Sequence, residues 1–407
     1  MGFSEVKEAV EAIGRLGMAV VVDDEERENE GDLVMAAEAA TPENIAFFLT
    51  HTSGVICVPL LPERADELEL PLMVTANTEA QRTAFTVSVD LRHGTTTGIS
   101  ATDRSATIRA LIDPDTKPTD LNRPGHIFPL RYRTGGVLKR AGHTEATVDL
   151  SRAAGLSAAG VLCEIVTEDK SEMARLAELE RFAKKHDLPI ISIADLIRYR
   201  RRNEKLVRLV SEARIPAAGG VFRAYVYESV IDGEQHLALV MGEVAGHEDV
   251  LVRVHSECLT GDVFGSLRCD CGPQLRASLD RIEEEHRGVL IYLRGHEGRG
   301  IGLGHKIRAY QLQEEEGHDT VDANLQQGLP VDSREYGIGA QMLVDLGVTT
   351  MRIMTNNPAK YGGLEGFGLD ITERIPLQLE PNPENIEYLR TKRERMGHIL
   401  HGLDDDL

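Results

Sequence analysis

Apolar residues in the first two hundred positions fall into short β-branched runs separated by helical periodicity. MAVVV (18–22), GVICVPL (54–60) and TAFTVSVDL (83–91) read as strands, because branched and aromatic side chains suit a pleated, half-buried surface. Thr41-Pro42-Glu43 predicts a helix start, with threonine as N-cap and proline in the first turn. A second helix is predicted from Ser171, since Met173, Leu176, Leu179, Phe182 and Ala183 recur at three- or four-residue spacing. Further along, the pattern predicts a helix over 273–286, a strand over 288–293, a helix over 334–346 and a strand over 350–354. The fold class expected is α+β, with two mixed α/β domains. ADLIRYRRRNEKL (194–206) carries Arg198, Arg200, Arg201, Arg202 and Lys205. Such a run reads as a solvated helix end and linker, which puts the boundary near residue 200, with domains over 1–200 and 201–407.

The charge balance narrows the function. A formal net charge of −21 opposes any general affinity for nucleic acid or anionic lipid. Aromatic residues make up 4% and tryptophan is absent, which disfavours base-stacking platforms. No apolar run approaches the roughly 20 residues of a membrane helix, and MGFSEVKEAV lacks a signal-peptide pattern. Five cysteines, three of them clustered, suggest metal ligands rather than a disulfide framework. A cytoplasmic globular protein with two domains is expected.

Residues 23–32, DDEERENEGD, hold seven carboxylates in ten positions between two apolar runs. A solvated charged face is the plain reading. Against it, like charges crowded into a short turn anchored at both ends cost energy unless cations offset them. A hard divalent cation with oxygen ligands would do so. GTTTGISATDR (94–104) offers hydroxyls and amides for an anion. RPGHIFPLR (123–131) places His126 beside a proline-glycine turn, and RAGHTEA (140–146) offers Arg140, His143 and Thr144 in a loop.

DDEERENEGDL, GTTTGISATDRSATI, RPGHIFPLR and RAGHTEATVDL, followed by Glu164 in VLCEIV, resemble 3,4-dihydroxy-2-butanone-4-phosphate synthase over residues 1–200. The resemblance implies conversion of ribulose 5-phosphate to dihydroxybutanone phosphate and formate, with Mg²⁺ or Mn²⁺ at a dimer interface. It makes Glu28 and His143 the metal ligands, and His126 and Glu164 the groups essential to proton transfer. Arg27, Glu28, Asp32, Arg140, Ala141, Gly142, His143, Thr144 and Glu164 would contact the sugar phosphate.

In the second half, Cys258, Cys269 and Cys271 are separated by ten residues and then one. Thiolates favour zinc, and three protein ligands leave a coordination position for water, as in catalytic sites. His255 or His296 completing a closed structural site is the alternative. Cys57 and Cys163 read as small buried apolar residues. No GxxxxGK[ST] loop is present, so a nucleotide would have to be held by another device.

RVHSECLTGDVFGSLRCDCGPQL, GHEGRGIGL, DTVDAN, DSREYGIGAQML and TNNPAK resemble GTP cyclohydrolase II over about residues 207–375. This implies a Zn²⁺ site at Cys258, Cys269 and Cys271. GTP would be held by Arg253, Val254, His255, Ser256, Glu257, Gln274, Glu297, Gly298, Arg299, Thr320, Thr355 and Lys360, with Tyr310 and Tyr336 nearby. The implied products are a diaminopyrimidinone ribosyl phosphate, formate and diphosphate. The resemblance makes Asp332 a proton acceptor and Arg334 a nucleophile at the α-phosphorus. Because a guanidinium is a poor nucleophile, an electrostatic clamp is the plainer role for Arg334. The two halves together imply a homodimeric, bifunctional enzyme of riboflavin biosynthesis. Alternatives are an inactive first half serving as a dimerisation platform, and a zinc-stabilised binding module.

Overall fold

The structure, a computed structural model, describes residues 2–25, 27–217, 220–316, 319–329, 334, 336–357 and 367–403. The chain forms two compact units, Met1–Asn203 and Glu204–Leu407.

The first unit runs α1 (Val6–Gly14), β1 (Met18–Val22), β2 (Gly31–Ala36), α2 (Pro42–His51), β3 (Cys57–Leu60), α3 (Pro62–Glu67), β4 (Val89–Leu91), α4 (Ala101–Ile112), β5 (Leu121–Arg131), α5 (His143–Ala153), β6 (Gly160–Glu164), α6 (Leu176–His186), β7 (Ile190–Ser192) and α7 (Ile193–Asn203). Seven strands form one mixed sheet in the order β4-β5-β3-β6-β2-β1-β7. Both faces of its centre are covered. Val20, Val22, Leu33 and Met35 join one core, while Ala19, Val21, Val34 and Ala36 point into another. That two-sided burial is why β1 and β2 read as unbroken apolar runs. Thr41 caps α2 by accepting from the Asn44 amide at 3.2 Å, as the sequence predicts.

Four expectations about this unit need correction. The helix predicted from Ser171 begins at Leu176. Ser171 instead donates its amide and hydroxyl to the Asp169 carboxylate, and Val166 bridges Met173. That short-range turn satisfies the backbone without a helix. In 83–91 only Val89–Leu91 is a strand, with isolated bridges before it at Phe85 and Thr86. RPGHIFPLR lies within the eleven-residue β5 rather than at a turn. Arg200, 8% exposed, is not a solvated helix end: its guanidinium donates to Asp149 at 2.6 Å. Asp149 also accepts from the Tyr132 hydroxyl and the Val137 amide.

The second unit runs β8 (Val207–Ala217), β9 (Gly220–Ser229), β10 (Gln235–Met241), β11 (Val250–Ser256), α8 (Leu259–Asp262), α9 (Cys271–Glu285), β12 (Gly288–Leu293), α10 (Leu303–Glu316), α11 (Thr320–Gln326), α12 (Gly337–Asp345), β13 (Thr350–Met354), β14 (Asp370–Ile375) and a C-terminal helix Ile386–Met396. The sheet order is β14-β13-β11-β12-β10-β9-β8. β14, β13, β11 and β12 run parallel, whereas β10, β9 and β8 join antiparallel. The parallel strands end on the same side, and a crevice beyond the carboxyl ends of parallel strands is where α/β sheets bind ligands.

Candidate active sites

The first site is built at the β1–β2 turn. Asp23, at the end of β1, is buried and folds the turn around itself. Its carboxylate accepts the Glu30 amide at 2.9 Å, the Glu28 amide at 3.1 Å and the Arg27 guanidinium at 2.8 Å. Asn29 takes the left-handed conformation (φ +54°) that lets the chain reverse. Arg27 also donates to Glu28 at 2.5 Å. On β2, Asp32 is 2% exposed and stands opposite Glu164 of β6 in the strand register. Gly142 is the N-cap residue of α5, so His143 and Thr144 open that helix rather than lying in a loop. A Cβ at Gly142 would meet the Arg140 guanidinium at 2.3 Å, so a larger residue there would displace the end of that side chain.

Beside this turn lies a cleft of about 170 Å³. Arg27, Glu28, Asp32, Arg140, His143, Thr144 and Glu164 meet there, joined by Glu30, Glu79 and Thr83, which the sequence did not single out. Ala141 and Gly142 do not line it, and neither does His126. The His126 ring instead faces Asp90, Nδ1 to Oδ2, at 2.7 Å, and its side chain is 38% exposed. Donor atoms of Asp23, Glu28 and His143 lie within 4.8 Å of one another, a set suited to a hard divalent cation. Sequence reasoning did not single out Asp23 as a member of this group.

The charges in this cleft are strongly coupled. The His143 ring stands 3.7 Å from Glu28 and 3.9 Å from Asp32. Asp32 Oδ1 and His143 Nε2 are buried with no hydrogen-bond partner among the described residues. Burial, with Glu164, Glu28 and Glu30 adding repulsion, pushes the Asp32 carboxyl up to about 7. Burial alone would depress His143, but Asp32, Glu28 and Asp23 outweigh it and raise the imidazole to about 9. The neighbouring His143 ring and Arg27 hold Glu28 below the usual carboxylate range. In metal-free protein the His143 ring should titrate near pH 9, read by imidazole proton NMR. A raised folded-state value gives a stabilising contribution that is complete below the ordinary 6.5 and lost as pH rises through about 9. The metal-free first unit should therefore unfold at lower urea at pH 9.5 than at pH 6.5. An imidazole midpoint at or below 6.5 would contradict this reading.

The second site lies beyond the ends of β11, β12 and β13. β11 runs into Cys258, β12 leads to Glu297–Arg299, and β13 leads to Thr355. The Cys258, Cys269 and Cys271 sulfurs lie within 4.8 Å of one another, with Cys258 and Cys269 3.7 Å apart. Nothing but glycine fits above them. A Cβ at Gly261 would meet the Cys269 sulfur at 2.8 Å and the Cys258 sulfur at 3.1 Å. Lys306 donates to Cys258 at 3.1 Å, to Thr260 at 2.8 Å and to Glu297 at 2.5 Å. Hydrogen bonds from Cys269 and Cys271, with Lys306 alongside, hold the Cys258 thiol low. The other two are pushed up, Cys269 to about 11, because a second thiolate beside the first is unfavourable without a cation.

A cleft of about 460 Å³ opens over the sulfurs. Arg253, His255, Ser256, Glu257, Gln274, Gly298, Arg299, Thr320, Thr355, Arg334 and Tyr310 line it together with the three cysteines. Val254 instead belongs to the hydrophobic core, and Glu297 is buried against Lys306. Tyr336 stands beside Arg334, whose guanidinium lies 5.7 Å from the ring centre. Asp332 and Lys360 lie outside the described residues. Neither histidine joins the sulfurs in the metal-compatible group. His255 faces Asp262 at 3.0 Å and stacks on Tyr292, while His296 faces Ser256 at 3.2 Å. A closed site completed by either is therefore not what the described residues form. Lys306, Asp270, Tyr388 and Lys392 also line this cleft, and sequence reasoning had not singled them out. Cys57 and Cys163 are free and buried, as expected. Among the described residues, no helix is long and apolar enough to cross a membrane.

The family model for 3,4-dihydroxy-2-butanone 4-phosphate synthase matches residues 7–199, and that for GTP cyclohydrolase II matches residues 207–376. The chain is 62% identical to riboflavin biosynthesis protein RibBA of Nocardia farcinica, over 99% of this chain and 97% of that protein. It is 61% identical to the bifunctional riboflavin biosynthesis protein RIBA 1, chloroplastic, of Arabidopsis thaliana, over 99% of this chain and 74% of that one. Among solved structures it is similar to RibBX, a two-domain 3,4-dihydroxy-2-butanone 4-phosphate synthase from A. baumannii. The TM-score is 0.67 at 38% identity, covering 91% of this chain and 99% of that chain.

Proposed function

We propose a division of labour for this chain, which belongs to the bifunctional riboflavin biosynthesis proteins and joins 3,4-dihydroxy-2-butanone 4-phosphate synthase to GTP cyclohydrolase II. The chain carries both activities. In this reading residues 1–200 form the synthase domain, 201–407 form the cyclohydrolase domain, and each cleft serves one reaction. The observation that carries the reading is that each unit brings its own metal-compatible donor set to its own cleft.

In the first unit, Asp23, Glu28 and His143 would hold Mg²⁺ or Mn²⁺, whose chemistry is to polarise neighbouring sugar oxygens. Arg27 and Arg140 offer guanidiniums to the sugar phosphate. Asp32, titrating near 7, and Glu164 opposite it are placed to take and return protons at ketose carbons. Its half-exposed ring, oriented by Asp90, suits His126 to complete the cleft of a second subunit in a homodimer.

In the second unit, Cys258, Cys269 and Cys271 would hold Zn²⁺, whose chemistry is to activate water. Arg253 is fixed by donating to the Met354 carbonyl at 2.8 Å and to Gln274 at 2.7 Å. With Arg299 and Arg334 it gives the cleft three guanidiniums to match a triphosphate. Arg334 serves as an electrostatic clamp on the transferring phosphoryl group. The five free cysteines suit a reducing cytoplasm.

The test is Arg334→Ala, assayed with each substrate separately. Diphosphate release from GTP should fall by about 100-fold or more, the scale of losing one preorganised charge. Formate release from ribulose 5-phosphate should be unchanged. Diphosphate release at the parent rate would remove Arg334 from the site.

A further inference from the structure

The C-terminal helix Ile386–Met396 lies beyond residue 376, where the match to the cyclohydrolase family model ends. Yet Glu387, Tyr388, Thr391 and Lys392 from this helix line the same cleft as the three cysteines. Lys392 is 9% exposed and donates to Asp270 at 2.6 Å. Asp270 is itself 6% exposed and sits between the two metal-ligand candidates Cys269 and Cys271. Its second carboxylate oxygen accepts from the Gln274 amide nitrogen at 2.6 Å, and the Gln274 oxygen accepts from Arg253 at 2.7 Å. One chain of contacts therefore runs from the C-terminal helix to the sulfur-bearing loop and on to a guanidinium in the cleft. The aromatic ring one turn before Lys392 adds a second link. Tyr388 lies 4.4 Å from the Lys392 ammonium and 5.9 Å from the Arg299 guanidinium, measured to the ring centre.

We propose that Lys392 is a positioning residue of the GTP site, acting through Asp270 to fix both the metal-holding loop and the Gln274–Arg253 pair. A buried carboxylate needs a buried counter-charge, and among the described residues Lys392 is the cation that donates to this one. Take it away and Asp270 must turn toward water or toward another cation. Either movement shifts the backbone that carries Cys269 and Cys271 and releases Gln274 from its orientation. The C-terminal helix thereby becomes a wall of the active site rather than an appendage to it.

The proposal rests on GTP occupying this cleft, and the test separates the two ideas. The full-length, zinc-loaded enzyme is compared with Lys392→Met, Lys392→Arg and Arg299→Ala. For each we would measure KM and kcat for GTP, zinc release to a chelator, and formate from ribulose 5-phosphate as a check on the rest of the chain. Lys392→Met should raise KM for GTP about tenfold and speed zinc release by a similar factor, the usual scale for losing an outer partner of a metal site. Lys392→Arg, which keeps the charge, should recover most of both. Parent-like KM and zinc release in Lys392→Met, or an arginine variant as impaired as the methionine one, would overturn the proposal. If Arg299→Ala also leaves KM unchanged, the placement of GTP fails instead. Should Lys392→Met lose the folding transition of the second unit, Lys392→Gln takes its place under the same criteria.

Discussion

Cys271→Ser should reduce GTP opening by on the order of a thousandfold, equivalent to about 4 kcal/mol of transition-state stabilisation, while formate release from ribulose 5-phosphate continues. The expectation follows from the sulfur cluster. Cys271 is the first residue of α9, and the three sulfurs lie within 4.8 Å of one another. A hydroxyl there ionises far less readily than a thiol and is a poor ligand for a soft cation, so zinc content should fall with activity. Zinc analysis and the two formate assays on one sample decide the matter. A serine variant that still opens GTP at the parent rate without zinc would defeat the assignment of the cluster.

His143→Ala should have the mirror-image effect. Loss of the imidazole removes one of three donors and leaves Asp32 and Glu28 facing each other without the cationic ring that balances them. Synthase activity should fall by on the order of a thousandfold, again about 4 kcal/mol, with GTP opening retained. Removing one partner of a buried charged group typically costs about 3–5 kcal/mol, so the first unit should also melt earlier. A variant whose synthase activity kept the parent's dependence on Mg²⁺ concentration would show that His143 is not a ligand.

These two outcomes rest on residues that the sequence made legible to different degrees. The cysteine cluster was readable because thiolate chemistry is written in residue type, and a Cys-X-Cys pair cannot separate in space. The carboxylate turn was readable only as a region. Seven acidic side chains in ten positions look alike as letters. What distinguishes Asp23 is that three donors fold onto its carboxylate, and that depends on the left-handed Asn29 and the exit angle of β1. Asp32 and Glu164 meet because β2 and β6 pair in one register, which a single sequence does not specify.

Misreadings have similarly physical causes. Ser171 sits in a helix-like periodic pattern, but Asp169 captures its amide and hydroxyl and delays the helix. Arg200 stands in a run of solvated arginines, and only the packing of α7 against the Asp149 carboxylate singles it out. Lys392 and Tyr388 enter the second cleft from more than a hundred positions beyond Cys271. No local pattern marks them, because tertiary folding alone brings that helix to the sulfurs.

Gly261 has a bearing on how related chains are read. The atoms of two sulfurs occupy the space where any larger residue would begin, so an alanine there would have to spread the ligands before an ion could enter. A sequence that keeps all three cysteines but fills this one position would look intact by motif and yet be unable to close around its metal. The missing carbon is thus as much a part of the motif as the thiols, and inspecting it costs nothing.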